Sequence, residues 1–205
     1  MTLAIIQARL GSTRLPRKTL MDIGGKPMIQ HVVERVQQIR GVDVVVLAVP
    51  HGEAAFLPWA PIVVAPAVDE ADVLGRFAAI VASHPDADPI MRISGDCPLL
   101  SPAICAQVLQ LYQQTPGCHY AWNVARGYVD GEDCEVVSRE ALLCAHAWAR
   151  GPFDREHVTP WVRRNVDVAT LPATLRTGRR EPPRKTSVDT LEDLERVRQL
   201  CQPPF

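Results

Sequence analysis

The strongest constraint on the fold is a repeated exchange between two hydrophobic periods. Residues 3–6, 43–49 and 89–94 are short, largely apolar stretches, the first two rich in the side chains of strands covered on both faces. Between them apolar residues recur at helical spacing: Met28, Ile29, Val32, Val33, Val36 and Ile39 in one segment, then Val73, Leu74, Phe77, Ile80 and Val81 in another that opens near Asp69. Ser101 and Pro102 have the chemistry of an N-cap and a first helical residue, followed by Ile104, Val108, Leu111 and Tyr112 as an inner face. Strand and helix in alternation predict a three-layer α/β sheet with right-handed crossovers.

From about residue 118 the pieces shorten. Strands are predicted at 120–124 and 134–137, a helix at 138–149, a less regular helix at 155–164, and last strands at 166–171 and 185–188. A basic, proline-containing loop at 176–184 separates those last strands, and a closing helix begins at Asp189 or Thr190. Residues 62–65 read as a short extended piece, 22–27 as a turn, and 203–205 as a frayed end.

A length of 205 residues with 47% apolar content suits one domain, 1–205, with a sub-region at about 118–165. The formal net charge of -1 supplies no global basic field, which argues against nucleic acid and anionic membrane as partners. The apolar run at 3–6 is too short for a signal peptide, and no later run reaches membrane-spanning length, so a cytoplasmic location is expected. The six cysteines lie far apart without metal-site spacing and read as free thiols.

Any anion site must therefore be local, and the loop after the first strand is the place for it. Ala8-Arg9-Leu10-Gly11-Ser12-Thr13-Arg14 leads on to Arg17 and Lys18, joining fixed cations, two hydroxyls and a glycine. A polyphosphate needs both positive charge and free N–H donors, which such a loop offers. The stretch is neither GxGxxG nor GxxxxGK[ST], so the usual dinucleotide and P-loop readings lose their support.

Two carboxylates complement it. Asp96 leaves the end of a central strand between Gly95 and Cys97-Pro98, and Asp189 follows residues 186–188 just before a helix. The alternatives are a turn aspartate at Asp96 and an N-cap at Asp189. As hard oxygen ligands the pair suits Mg²⁺, which takes one or two protein carboxylates and completes its shell with phosphate and water. A cationic loop plus two carboxylates is the minimum kit for metal-assisted chemistry on a nucleoside triphosphate. A second acidic group runs from Asp130 to Glu135; if 134–137 is a strand, Asp133 and Glu135 share a face and can hold a polar substrate's hydroxyls, the alternative being a solvated turn.

The stretch IIQARLGSTRLPRKTLMDIGGKPMIQHVVERV resembles the start of the spore-coat-polysaccharide-type cytidylyltransferases, relatives of CMP-Kdo and acylneuraminate cytidylyltransferases. DEADVLGRF, RISGDCPLLSP, VDGEDCEVVSREAL, REHVTPWVRRN and SVDTLEDLERVR continue the match in order. The resemblance implies a glycosyltransferase-A-like fold with a mostly parallel mixed sheet, a homodimer, and transfer of CMP from CTP to an acidic sugar or a phosphonate-like acceptor with release of pyrophosphate. It places Arg9, Ser12, Arg14 and Lys18 on the triphosphate, within a nucleotide site that also includes Gly11, Thr13 and Asp96, and Ala8 near the base. Asp96 and Asp189 become the metal ligands, with Lys18, Arg14 and Asp96 acting in catalysis. Asp130, Asp133, Glu135, Arg155, Glu156 and His157 fall to the acceptor. Arg17 stands where such proteins usually have glycine. The rival readings are a UTP- or GTP-using sugar-phosphate nucleotidyltransferase and a non-catalytic nucleotide- or sugar-binding homologue.

Overall fold

The first strand sorts the molecule into layers. In β1 (Leu3–Gln7) Leu3 and Ile5 face one way, Ala4 and Ile6 the other, and all four are fully buried, so both faces of the sheet are covered. A computed structural model describes residues 1–60, 62–64, 66, 68–123, 128–171 and 185–201. The expected loop at 176–184 and the chain end at 203–205 lie outside these residues, as do parts of the expected strands at 62–65 and 120–124.

On the Ala4 and Ile6 face pack α1 (Met28–Val36) and α3 (Pro102–Gln114), through Ile29, Val32, Val36, Cys105 and Val108. On the Leu3 and Ile5 face pack α2 (Val73–Ala82), α4 (Arg139–Trp148) and α6 (Pro160–Asn165), through Leu74, Phe77, Leu142 and Val162. The seven-stranded sheet also contains β4 (Val44–Ala48), β5 (Val63–Val64), β6 (Ile90–Ser94), β7 (Tyr120–Trp122), β8 (Glu135–Val137) and β9 (Val168–Thr170), in the order β5-β4-β1-β6-β8-β7-β9. Every neighbouring pair is parallel except those made by β8, which lies antiparallel to both β6 and β7. This is the mostly parallel mixed sheet expected, in three layers.

The turn at 22–27 is a small hairpin of β2 (Asp22–Ile23) and β3 (Lys26–Pro27). It packs with α7 (Leu191–Cys201) around Ile23, Val188, Leu194 and Val197 in a third, smaller core. That core fixes the start of α7 beside the loop after β1.

Three expectations need correction. Residues 185–188 are not a strand: Thr186 and Ser187 give their N–H groups to the Asp130 carbonyl and Val188 gives its own to the Asp96 carbonyl, so the segment bridges two loops instead of joining the sheet. The helix at 155–164 is two, α5 (Pro152–His157) and α6, because Val158 takes φ 70 and Pro160 opens a new helical turn. The second helix begins at Val73, since the Asp72 carboxylate accepts from the Gly75 N–H and sets the N-cap there. Among the described residues no helix is long and apolar enough to cross a membrane.

Candidate active site

Parallel strands β1 and β6 end side by side, and their carboxyl ends open one cleft. Gly95 lets the two chains close in: its N–H donates to the Gln7 carbonyl at 2.8 Å, and a Cβ there would meet that oxygen at 2.7 Å. Beyond Gln7 the loop is held by its own backbone and by Glu53, whose carboxylate accepts the Leu10 N–H at 3.0 Å; Thr19 donates to the Arg9 carbonyl at 3.2 Å. Burial still pushes the Glu53 carboxyl above its usual range.

Lys18, at the far end of this loop, is the centre of the site. Its Nζ lies 2.8 Å from Asp96 Oδ2, 3.1 Å from Asp189 Oδ1 and 2.7 Å from the Val188 carbonyl oxygen. Residues 18, 96 and 189 thus converge on one ammonium group. Arg14 reaches Asp189 Oδ1 at 2.9 Å, and Lys185 reaches its other oxygen at 2.8 Å. Although burial opposes ionisation of Asp189, the hydrogen bonds from Lys185 and Lys18 hold its carboxyl below the usual range.

The hydrogen bonds show what each of these two carboxylates contacts. Thr190 and Asp193 make a reciprocal cap at the start of α7: Asp193 accepts from the Thr190 N–H at 3.1 Å and gives its own N–H to Thr190 Oγ1 at 3.2 Å. Asp193 also accepts from the Asp189 N–H, and despite burial the Arg196 and backbone donors hold its carboxyl well below the carboxylate range. Asp189 is therefore free of capping duty and turns its side chain to the cations. At Asp96 the carboxylate likewise meets Lys18, with the Cys97 thiol at 3.5 Å.

A cavity of about 350 Å³ runs past these groups, lined by Ala8, Arg9, Ser12, Thr13, Arg14, Lys18, Asp96 and Asp189 among the sequence candidates, and by Glu156 and His157 from α5. Arg9 reaches Glu156 at 3.5 Å, joining the loop to α5, and the His157 ring packs on Phe153 at 4.5 Å. Gly11 does not line the cavity; a Cβ there would meet the Glu70 carboxylate. Arg155 turns away too, pairing with Asp72 and donating to the His146 carbonyl, so it ties α5 to α2 and α4.

The other acidic candidates line an adjoining cavity of about 210 Å³, which shares Arg92, Ser94, Asp96 and Asp189 with the first. Asp130 accepts from Ser187 Oγ at 2.6 Å, and Gly131 at φ 112 lies so close to Thr186 and Ser187 that no side chain fits. Glu135 is buried and engaged by Arg92 at 2.8 Å and by Thr159 Oγ1 at 3.0 Å. Asp133 stands just before β8, and burial, with Asp130 and Glu135 adding repulsion, pushes its carboxyl up to about 6.

Sequence reasoning missed Gln7, Arg76, Arg92, Ser94, Lys185 and Asp193. Arg92 carried a signal, a charge inside an otherwise apolar strand; it donates to Gln7 Oε1 at 3.1 Å as well as to Glu135. Asp193 carried one too, as the acid of a Thr190-x-x-Asp193 capping pattern, and Lys185 lies four residues before Asp189, with which it pairs.

The chain matches the cytidylyltransferase family over residues 3–204. It belongs to that family. It is a nucleotidyltransferase enzyme. A 3-deoxy-manno-octulosonate cytidylyltransferase of Anaeromyxobacter dehalogenans strain 2CP-C is 32% identical over 173 residues, covering 75% of this chain and 69% of that protein. Among solved structures, a cytidylyltransferase of Leptospira borgpetersenii superposes with TM-score 0.85 at 24% identity, covering 97% of this chain and 85% of that one. A CMP:2-keto-3-deoxy-manno-octonic acid synthetase complexed with CTP superposes with TM-score 0.74 at 22% identity, covering 98% of each chain.

The two carboxylates and the backbone carbonyl around the Lys18 ammonium are hard oxygen donors of the kind that Mg²⁺ takes. Among the described residues no group of three or more His, Cys, Asp or Glu side chains that could hold a metal ion occurs.

Proposed function

We propose that this cytidylyltransferase moves CMP from CTP to an oxygen of an acidic sugar, of the 3-deoxy-octulosonate kind named for its relative, and releases pyrophosphate. The convergence of Asp96 and Asp189 on Lys18 at the mouth of the cationic loop carries this reading. The acceptor oxygen bonds to the α-phosphorus while the bond to the β-phosphate oxygen breaks. If the nucleophile is a hydroxyl, its proton passes to Asp133, whose raised affinity for protons suits a base working near neutrality.

Four phosphate charges must be offset before an anionic acceptor approaches. Arg9, Arg14 and Lys18 do so from the loop, and Asp96 and Asp189 would hold Mg²⁺, which when bound neutralises charge on the phosphates. The three cations are paired with carboxylates already, so nucleotide entry exchanges one anion for another around groups fixed in place. The chain supplies positioning and electrostatics; no side-chain nucleophile is needed. Asp130, Asp133 and Glu135 line the acceptor side, where carboxylates suit a sugar's hydroxyls.

Pyrophosphate release from CTP, Mg²⁺ and a panel of acidic sugars and phosphonates tests this reading. Release dependent on both CTP and one acidic sugar is expected. Turnover of UTP or GTP with a sugar 1-phosphate in preference to CTP would sink it.

A further inference from the structure

Among the described residues two that are not glycine take a positive φ, Arg17 and Val158, and they differ in kind. Arg17 sits in the left-handed helical region, but Val158 at φ 70 and ψ -57 lies outside it. The Thr159 N–H donates to the His157 carbonyl at 2.8 Å, so residues 157–159 form a γ-turn in its rare, strained form. A β-branched side chain is poorly suited to such backbone, and this one is 1% exposed, in the core that holds Phe77, Leu142 and Val162. Strain of this kind persists only where the surroundings over-determine it.

Those surroundings form a closed ring of contacts that runs past both cavities. On one side of the turn Glu156 and His157 line the larger cavity, and Glu156 pairs with Arg9 at 3.5 Å. On the other side Thr159 is 1% exposed, and its Oγ1 donates to the Glu135 carboxylate oxygens at 3.1 and 3.0 Å. Glu135 holds Arg92 at 2.8 Å, and Arg92 donates at 3.1 Å to Gln7, which stands just before Ala8 and Arg9. An α-helix continued through residue 158 would put 156 and 159 on one face. The turn instead gives one to the phosphate loop and the other to the wall of the smaller cavity.

Resting on the reading that the larger cavity takes the nucleotide and the smaller one the acceptor, we infer that Val158 is a positioning residue. Its γ-turn closes the ring and fixes the two cavities relative to each other, while the side chain lines neither. Binding of CTP alone does not depend on the turn being rigid. The transfer step does, because it needs both substrates in register.

The test compares Val158→Ala with Val158→Gly, and Thr159→Val with Thr159→Ser. Urea unfolding, calorimetric binding of CTP with Mg²⁺, and pyrophosphate release with the acceptor panel above are measured on each. Glycine relieves the strain and frees the turn, so Val158→Gly should unfold at higher urea than Val158→Ala, the reverse of the usual order, yet have a kcat about tenfold lower. Thr159→Val opens the ring without altering the turn and should lose kcat by about the same factor, with Thr159→Ser restoring most of it. CTP affinity should stay within about twofold of wild type throughout. A purely structural role would make activity follow stability and place glycine above alanine in kcat; that ranking overturns the inference. So does unfolding of Val158→Gly at lower urea than Val158→Ala, or a CTP affinity that falls in step with kcat. If neither Val158 variant folds, a wild-type kcat in Thr159→Val overturns it equally. These outcomes leave the CTP reading standing, whereas a wild type that releases no pyrophosphate from CTP with any acceptor of the panel overturns both.

Discussion

The two adjoining cavities share Arg92, Ser94, Asp96 and Asp189, yet their remaining walls carry opposite charge. In the larger one, loop cations are each matched by a carboxylate from a distant segment, so positive groups are held in position before any anion arrives. In the smaller one, Asp130, Asp133 and Glu135 outnumber the single cation Arg92, and burial, with repulsion from Asp130 and Glu135 added to it, raises the proton affinity of Asp133. Under the proposed function a site that joins two anions has to separate them: ion pairing would prepare the larger cavity for the triphosphate, and the acidic smaller one would favour an acceptor's hydroxyls and take up a proton. Asp96 and Asp189 stand on the border between the two.

Border residues should therefore be the most sensitive. Asp96→Asn keeps shape but removes the charge that Lys18 meets at 2.8 Å, and pyrophosphate release is expected to fall about 1,000-fold. Lys18→Ala should cost closer to tenfold, because Arg9 and Arg14 remain on the loop. Near-wild-type release from Asp96→Asn would break the division of labour drawn above.

The walls of the smaller cavity separate into structural and chemical groups. Glu135→Ala leaves Arg92 partly buried without its main partner, with an expected loss of about 3 kcal/mol in denaturant unfolding. Replacing both residues by methionine should restore much of it, and failure to do so would show that the pair is more than mutual compensation. Asp133→Asn is expected to act the other way on stability. With a folded pKa of about 6 against an ordinary 3.8, the Asp133 contribution is fully present below 3.8 and lost as pH rises through 6. The Asn variant should thus gain on the order of 2 kcal/mol relative to wild type between pH 4 and pH 8. Its activity should fall and lose the rise in kcat through about pH 6, since the wild-type base works only when ionised. An unchanged pH profile would remove Asp133 from the chemistry and leave it as a wall.

How far the sequence carried follows from the same contrast. The alternation of apolar runs such as 3–6 with helical spacing such as that from Met28 to Ile39 identified the layers, because each is a local pattern with a local cause. The cationic loop and Asp96 were legible as types of residue at strand ends. Asp189 was ambiguous between cap and ligand until Asp193 was seen to do the capping, a fact that depends on where α7 starts. The segment 185–188 looked like a strand because it is extended and partly apolar, but its N–H groups go to Asp96 and Asp130 from two different loops. Pairings of that kind, like Arg92 with Glu135 across β6 and β8, exist only after the sheet has formed.

Arg17 supplies the smallest and sharpest comparison, inside the phosphate loop but outside both cavities. It is exposed and takes φ 58 and ψ 22, the left-handed conformation that glycine adopts without strain. An arginine thus holds a backbone conformation that suits glycine, at a local cost of about 1 kcal/mol. Arg17→Gly relieves that strain but loosens the unfolded chain by a similar amount, so a stability change within about 0.5 kcal/mol is expected. Because the side chain lines neither cavity, kcat/KM for CTP should stay within about twofold, the charge being screened by solvent. A tenfold fall would mean that the guanidinium reaches the triphosphate once the nucleotide is bound, and that the loop's cations are not all placed in advance.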